Sequence, residues 1–379
     1  MRHVYLLVLA FGFAASALAG EDQRPEFHGF ATQAFVFSGA NNYLGMNTSS
    51  GSAAWSEAAI NVNDQVTDKL RVGLQFHFTR LGQFGDSAVS LDWALGDYKI
   101  NRWVGLRAGK VKIRWGLYND IQDADPGYLW ALLPEPIYAV DLRATNLSQT
   151  GAELYGGVPL GRKRGELAYS LYYGDYSYAS NDGYMEGFKQ AGLSFANQPG
   201  GKTPGFDLRW KTPFRGLTVG GSLMMYDAKG NLTNGTFRQP LTYWPTYYTQ
   251  YENRKFRLAW QYMKLVQYTT TMVDSDPPST GLSDTRAWFA MGEYRVTDKL
   301  QVGFYHTRYK VASAEDHSDP ANRFNDSVVS ARYDFNSYFY WKLEGHFIDG
   351  NGLGFYAFDN PDGLKPRSRL LVAKVGFTF

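Results

Sequence analysis

The chain alternates apolar and polar side chains with a period of two, and the clearest example covers residues 70–79. The apolar positions there are Leu70, Val72, Leu74, Phe76 and Phe78, and the positions between them are Arg71, Gly73, Gln75, His77 and Thr79. Successive side chains of a β-strand point to opposite faces, so the pattern predicts a strand with one apolar and one polar face. A chain made of many such strands must enclose one face and offer the other to a different environment.

Sixteen segments of this kind follow one another to the C-terminus, joined by alternately short and long connections. The short turns fall at one end of the predicted strands and most long loops at the other. Outer-membrane barrels of bacteria have an even strand number, tight periplasmic turns and long external loops. We therefore predict an all-β fold, a 16-stranded antiparallel transmembrane β-barrel with an infolded third external loop. Residues 229–245 and 274–284 are loops in this prediction, and the tenth strand covers residues 246–252.

Hydropathy and the C-terminus agree with a barrel. A mean hydropathy of −0.36 is compatible with one, because a polar lumen offsets a lipid-facing exterior. Strands can cross lipid only when the barrel closes and leaves no unpaired edge. The final segment, Lys374–Phe379, alternates and ends on an aromatic residue, which resembles the terminal signature by which such barrels are recognised for assembly. The alternative, a final strand of a soluble sandwich, leaves the aromatic-rich alternation of the whole chain unexplained.

The N-terminus has the pattern of a secretory signal peptide. A short polar start with Arg2 precedes the apolar residues 4–13, and Ala17-Leu18-Ala19 offers small residues at the cleavage position. The apolar core is too short for a membrane span, which needs roughly 20 residues. We expect a signal peptide at residues 1–19 and one barrel domain at 20–379, exported to the cell outer membrane, where it contacts lipid and lipopolysaccharide.

Residues 106–143 form the stretch most typical of a pore. Three cations two residues apart end a strand, and a loop with scattered acids and three prolines follows. A basic wall opposed by an infolded acidic loop would form a constriction. Its predicted residues are Lys110, Lys112, Arg114, Asp120, Asp123, Asp125, Glu135, Asp141 and Arg143, with Leu106 and Ala108 on the same strand face as the three cations.

These residues carry a resemblance to a known family. Residues 107–112, with Gly116-Leu117 and the closing strand Val375–Phe379, resemble the Gram-negative porin superfamily, nearest to its phosphate-selective, anion-selective group. The resemblance implies a 16-stranded barrel, usually a homotrimer, with the third external loop in the lumen and a basic ladder on the wall. The loop departs from that pattern because its acids outnumber Arg143, and so it looks more like the eyelet of a general porin.

Charge along the predicted lumen favours cations modestly, with ten against six carboxylates. The predicted lumen-lining residues are Arg71, His77, Arg209, Lys211, Arg257, Arg332, Lys342, Glu344 and Lys374. Rings of charged side chains set the sign of permeant ions, which predicts a weak anion preference. The alternative is that these charges only solvate the lumen and pair with one another. We expect few aromatic side chains on the polar faces.

Composition narrows the function further. The chain has no cysteine and a formal net charge of +2, which removes thiol chemistry and gives no electrostatic footprint for nucleic acid. No histidine has the spacing of a metal site, and we predict no cofactor. The predicted function is passive diffusion of small hydrophilic solutes and ions. The alternatives are a channel specific for phosphate or organic anions and, from another class, a barrel-borne hydrolase using Glu344 and His346.

Overall fold

The computed structural model describes residues 25–379, so the predicted signal peptide lies outside the described residues. Almost all regular structure is β. The strands are β1 (Glu26–Ser38), β2 (Ser52–Gln65), β3 (Leu70–Leu81), β4 (Phe84–Lys99), β5 (Gly105–Lys112), β6 (Ser148–Pro159), β7 (Glu166–Ser177), β8 (Gly200–Lys202), β9 (Gly205–Lys211), β10 (Leu217–Leu232), β11 (Gly235–Glu252), β12 (Phe256–Val273), β13 (Ser279–Arg295), β14 (Leu300–Val311), β15 (Arg323–Asp334), β16 (Phe339–Asp349) and β17 (Arg367–Thr378). The α-helices are α1 (Glu135–Tyr138), α2 (Arg143–Asn146) and α3 (Gly183–Gln190).

The strands form one closed antiparallel sheet. Each pairs with its neighbours along the chain, and β1 pairs with both β2 and β17, which closes the barrel. The segments β8 and β9 both pair with β7 and β10 and are separated only by Thr203-Pro204. Proline cannot donate to the ladder, so it interrupts this strand without ending it. The barrel therefore has 16 strands, and the predicted fold class is confirmed.

Along several strands the polar side chains face the interior and the apolar ones face outward. On β16, for example, Lys342, Glu344 and His346 are buried, whereas the alternating residues Leu343 and Phe347 are exposed. This inverts the arrangement of a soluble protein and is the alternation that a lipid-facing barrel wall requires. Within residues 25–379 no helix is long and apolar enough to cross a membrane.

The two ends of the barrel differ. One, the turn end, carries the short connections between β2 and β3, β4 and β5, and so on to β15 and β16. The other, the loop end, carries loop 1 (residues 39–51), loop 3 (113–147), loop 4 (178–199) and loop 8 (350–366). Loops 1 and 8 are joined at the loop end, where the Leu44 amide donates to the Gly354 carbonyl at 2.7 Å.

Two predicted loops are wrong. Residues 229–245 continue β10 to Leu232 and begin β11 at Gly235, so only a two-residue turn separates the strands. Residues 274–284 are also shortened, because β13 begins at Ser279. The outer part of the β10–β11 hairpin lacks clean alternation, and its register with β12 shifts between Arg238 and Tyr243, around Pro240. Such irregularities accommodate proline in a strand and hide it from a period-two search.

Aromatic side chains fill much of the interior, contrary to our expectation. The wall contributes a buried aromatic cluster that includes Tyr172, Tyr226, Trp244, Tyr248, Phe289 and Tyr305. These rings surround apolar residues of loop 3, so the interior is packed in part like the core of a soluble protein.

Candidate functional site

Loop 3 leaves the wall after β5, crosses the interior and returns at β6. Its base is pinched, because the Ile113 amide donates to the Leu147 carbonyl at 2.9 Å. The side-chain amide of Asn119 donates to the carbonyls of Ile113 and Asn146 at 2.8 and 3.0 Å. The neck of the loop is therefore fixed by its own residues.

An apolar half of the loop packs on the strands opposite β5. The ring centroids of Trp115 and Trp244 lie 4.4 Å apart, and those of Trp130 and Tyr305 lie 4.8 Å apart. Such aromatic pairs add about 0.5–1.5 kcal/mol each beyond the area they bury. The hydroxyl of Tyr138 accepts from the Leu117 amide at 2.8 Å and lies 2.7 Å from Gln261 Oε1.

Asp125 connects the tip of the loop to two lysines of the wall. Its Oδ1 lies 2.7 Å from Lys374 Nζ and its Oδ2 lies 3.0 Å from Lys342 Nζ, with all three side chains buried. Lys374 also pairs with Glu57 at 3.0 Å. Burial alone would raise the pKa of Asp125, but the two ammonium groups lower it below its ordinary value. The loop tip is thus held by a charged network inside the barrel.

Glu344 and His346 also hold the loop. The Glu344 carboxylate accepts from the backbone amides of Ala131 and Leu132, each at 3.0 Å. His346 lies between two carboxylates, with Nδ1 2.7 Å from Asp326 and Nε2 3.0 Å from Glu344. Both ring nitrogens are therefore engaged, which leaves neither to activate a hydroxyl or a water for hydrolysis.

The opposite edge of the loop is tied to β3, β4 and β5. Arg143 donates to Asp92 Oδ2 at 3.0 Å and lies 2.6 Å from His77 Nδ1. Lys112 pairs with Asp123 at 2.7 Å. These contacts bring predicted wall residues and predicted loop residues together.

The inner face of β5 differs from the prediction near Gly109. Arg107 contacts the buried carboxylates of Asp97 and Glu153, at 3.0 and 2.9 Å, while Leu106 is exposed. At Gly109 the backbone has φ +125, a conformation that L side chains rarely adopt, and this irregularity separates the two halves of the strand. Lys110 donates to the Leu91 carbonyl, away from the loop acids. Arg107 therefore lines the interior and was missed, whereas Lys110 contacts the backbone of β4 rather than an acid of the loop.

The remaining predicted lumen residues lie between the loop and the turn end. Arg209 donates to the Gly116 carbonyl at 2.9 Å, and Arg332 donates to the Pro126 carbonyl at 2.7 Å. The other cations pair with carboxylates close to the barrel wall. These pairs are Arg71–Asp97 at 3.5 Å, Lys211–Glu166 at 2.9 Å and Arg257–Glu293 at 3.2 Å. Arg114, a predicted constriction residue at the start of loop 3, lies 3.5 Å from Asp120 of the same loop.

The last two predicted constriction residues, Glu135 and Asp141, lie on the side of loop 3 that faces the loop end. Both are buried, and the Asp141 carboxylate accepts from the Tyr356 hydroxyl of loop 8. Burial raises the pKa of Glu135 well above its ordinary value, and the nearby Asp141 raises it further. Burial also raises the pKa of Asp141. Within residues 25–379 neither side chain forms an ion pair with a lysine or an arginine of the wall, unlike the eyelet acids that the sequence led us to expect.

Little free space remains beside the loop on the β2–β17 side. A cavity of about 20 Å³ lies there, lined by Trp55, Glu57, Arg143 and Lys374 among others. That is room for one or two water molecules. At the turn end, a wider cavity of about 470 Å³ is lined by Lys99, Arg102, Lys211 and Glu166 together with Tyr155.

Comparisons with known proteins define the fold class. No protein-family model matches the chain, and no curated protein matches it in sequence. Solved structures do match. The chain is similar to OmpF of Salmonella typhi in complex with daunomycin, at 13% identity and TM-score 0.61 over 94% of this chain and 98% of that one.

Two further structures match over almost their whole lengths. One is an anion-selective porin from Comamonas acidovorans, at 11% identity and TM-score 0.57, covering 94% of this chain and 100% of that one. The other is the trimer form of OmpT, an outer-membrane protein of Vibrio cholerae, at 13% identity and TM-score 0.58, covering 94% and 99%. The chain therefore has the fold of Gram-negative outer-membrane porins.

Proposed function

We propose that the chain is an outer-membrane porin through which small hydrophilic solutes and ions diffuse passively, with a weak preference for anions. The porin fold and the polar interior support a channel. Loop 3 supplies the narrow part, since it contacts wall strands on opposite sides. The proposal includes export by the N-terminal signal peptide and an outer-membrane location in contact with lipid and lipopolysaccharide.

Unequal accessibility of the two charge signs supports the anion preference. Near loop 3 the side chains of Arg107, Arg114 and Arg209 are 21–24% exposed, whereas their partners Glu153 and Asp207 are only 2% exposed. Asp120, at 21%, is the exception. A passing ion therefore meets guanidinium groups before the carboxylates behind them. Because fixed charge at a constriction sets ion selectivity, the solute path carries a positive field.

The reversal potential in a KCl gradient across a planar bilayer tests this preference. We expect the chain to favour chloride, and Arg114→Gln to shift the reversal potential toward the potassium side. Arg114 is chosen because its ion pairs, 3.5 Å to Asp120 and 3.9 Å to Glu153, are the loosest of the three arginines.

The control is Lys163→Gln, which removes the same charge from an exposed turn away from the loop. It should leave the reversal potential unchanged. A cation-favouring wild type, or equal shifts in the two variants, would contradict the proposed anion preference.

We further propose a homotrimer, because the family that the sequence resembles usually forms trimers and a trimer form of OmpT has a similar fold. Chemical crosslinking of the protein in detergent should give a three-chain product; a monomer at every crosslinker concentration would refute it.

Specificity for phosphate or an organic anion is the second candidate function. Phosphate or benzoate should then block the current at concentrations at which the chloride conductance is not yet saturated.

A further inference from the structure

Three carboxyl groups meet where loop 3 contacts loops 4 and 8. Glu135 and Asp141 belong to loop 3, and Asp182 belongs to loop 4. All three are buried, with exposures of 3%, 6% and 2%. We define these three side chains, with the hydroxyl groups of Tyr356 and Thr145 that contact them, as the carboxyl latch.

Hydrogen bonds of the latch join three loops. The Tyr356 hydroxyl of loop 8 donates to Asp141, and the Thr145 hydroxyl of loop 3 donates to Asp182 of loop 4. The same Asp182 carboxylate caps α3 by accepting from the Met185 amide at 3.1 Å. The backbone amide of Ala179 donates to Thr145 Oγ1 at 2.8 Å, which adds a second contact between loops 3 and 4.

Among residues 25–379, none of the latch carboxylates forms an ion pair with a lysine or an arginine. This contrasts with Asp125, in the same loop, which contacts two lysines. Burying an unpaired carboxylate is costly, so such a group takes up a proton instead.

One group that faces the latch is basic, and it offsets the burial of Glu135 only in part. The basic one is His346 on β16, which is itself enclosed by Asp326 and Glu344. The others are acidic or phenolic: Tyr43 from loop 1, Tyr184 from α3, Tyr356 from loop 8 and Asp326 from β15.

We propose that the carboxyl latch is a proton-dependent gate, which holds loop 3 against loops 4 and 8 when protonated and releases it when ionised. This inference rests on the proposed channel function, because it assigns the latch control over the width of the lumen. Release would free the side of loop 3 that faces the loop end, while Asp125 keeps its tip attached.

The sign of the pH dependence follows from linkage. Burial raises the pKa of Asp182 to about 7, and it raises the pKa values of Glu135 and Asp141 in the same direction. The latched state therefore binds more protons than the released state, so acid favours it. The contribution of Asp182 is complete below the ordinary carboxyl pKa of about 4 and is lost as the pH rises through about 7. Those of Glu135 and Asp141 are lost in the same direction, above their ordinary pKa values.

A single cysteine can report release without any measurement of conductance. The chain has no native cysteine, and Ile137 is buried on α1 between the two loop 3 carboxylates. In Ile137→Cys, we expect the rate of labelling by a maleimide to be low at pH 5. At pH 8 the same rate should exceed that of a latch-locked variant at the same pH by at least about tenfold, since one pKa unit of coupling is a factor of ten.

The locked variant adds Glu135→Gln, Asp141→Asn and Asp182→Asn, which keep shape and hydrogen bonding but cannot ionise. Comparison at one pH removes the intrinsic pH dependence of the thiol. A matched control, Asp316→Asn in an exposed loop, should label like Ile137→Cys alone. Circular dichroism checks that each variant retains its β structure, and single-substitution variants replace the triple one if it fails to fold.

Equal labelling of the wild-type latch and the locked variant at pH 8 would overturn the gate. Conductance gives the second reading: open probability should rise between pH 5 and pH 8 and become flat in the locked variant. Labelling that responds to pH in a protein without conductance would refute the channel and leave the latch intact. If the protein conducts but its labelling rate at pH 8 is the same with and without the three latch substitutions, the latch alone is refuted.

Discussion

Asp125 shows how one residue can anchor a whole loop. Its carboxylate contacts Lys342 and Lys374 in an interior from which water is largely excluded. Removing one member of a buried ionic network leaves the others charged and unpaired, which costs more than the network contributes when intact. Asp120, five positions earlier in the same loop, is partly exposed and more loosely paired.

We predict that Asp125→Asn lowers the free energy of unfolding by about 3 kcal/mol, because Lys342 loses its buried carboxylate partner and Lys374 keeps only Glu57. Equilibrium urea unfolding in lipid vesicles measures the change. Asp120→Asn, the same chemical change in the same loop, should cost less than about 1 kcal/mol. Equal losses would mean that the Asp125 network does not anchor the loop.

The contribution of Asp125 also has a defined pH dependence. Because its pKa is lowered in the folded protein, its stabilisation is present above the ordinary carboxyl pKa of about 4 and is lost as the pH falls below that value. This is opposite in sign to the carboxyl latch. The tip of the loop therefore stays anchored over the range in which the latch is expected to open.

At single positions the sequence predicts the interior of a regular strand well and fails at an irregularity. Alternation correctly assigned Lys342, Glu344 and Lys374 to the inner face, because β16 and β17 are regular over their paired residues. It missed Arg107, because Gly109 breaks the period in β5. The latch residue Asp182 was also missed, since nothing in a loop sequence states which other loop it contacts.

At the scale of elements, loop 3 fits against β14 with no spare room. A side-chain carbon added at Gly303 would lie 2.5 Å from Leu129 and 2.7 Å from the Trp130 ring, both fully buried. Glycine at this position in the wall therefore permits the close approach of the loop tip. In β13, by contrast, a carbon added at Gly281 would meet nothing within 4 Å.

We predict that Gly303→Val destabilises the protein by about 1–3 kcal/mol through overpacking, and that it displaces the tip of loop 3. Urea unfolding gives the first effect, and an altered single-channel conductance gives the second. Gly281→Val, a control of the same size in a neighbouring strand, should stay within about 0.5 kcal/mol of wild type. If the two variants behave alike, the loop does not pack on β14 as described.

Element boundaries were predictable only where the pattern was simple. The connections after β2 and after β13 are short and polar, as the sequence predicts for one end of the strands. The β10–β11 hairpin was not predicted, because Pro240 and a register shift obscure its alternation. Polar strand ends that project beyond an apolar belt look like loops in the sequence.

At the scale of the whole molecule, the strand count was predictable because the same pattern recurs around the barrel and errors at single positions cancel. The prolines and acids after β5 predicted that the third loop enters the lumen. How it is held there was not predictable, since its contacts join residues as distant in sequence as Asp125 and Lys374. The aromatic packing inside the barrel was missed because period-two reasoning assigns a polar character to the whole inner face.

The central claim is that small solutes diffuse passively through this barrel. Swelling of proteoliposomes in a series of sugars and organic acids of increasing size, recorded at pH 8 where we expect the latch to be released, tests it most directly. We predict rapid swelling with the smallest solutes and a steady fall in rate as solute size increases. Folded, membrane-inserted protein that gives no swelling with any solute would contradict the central claim.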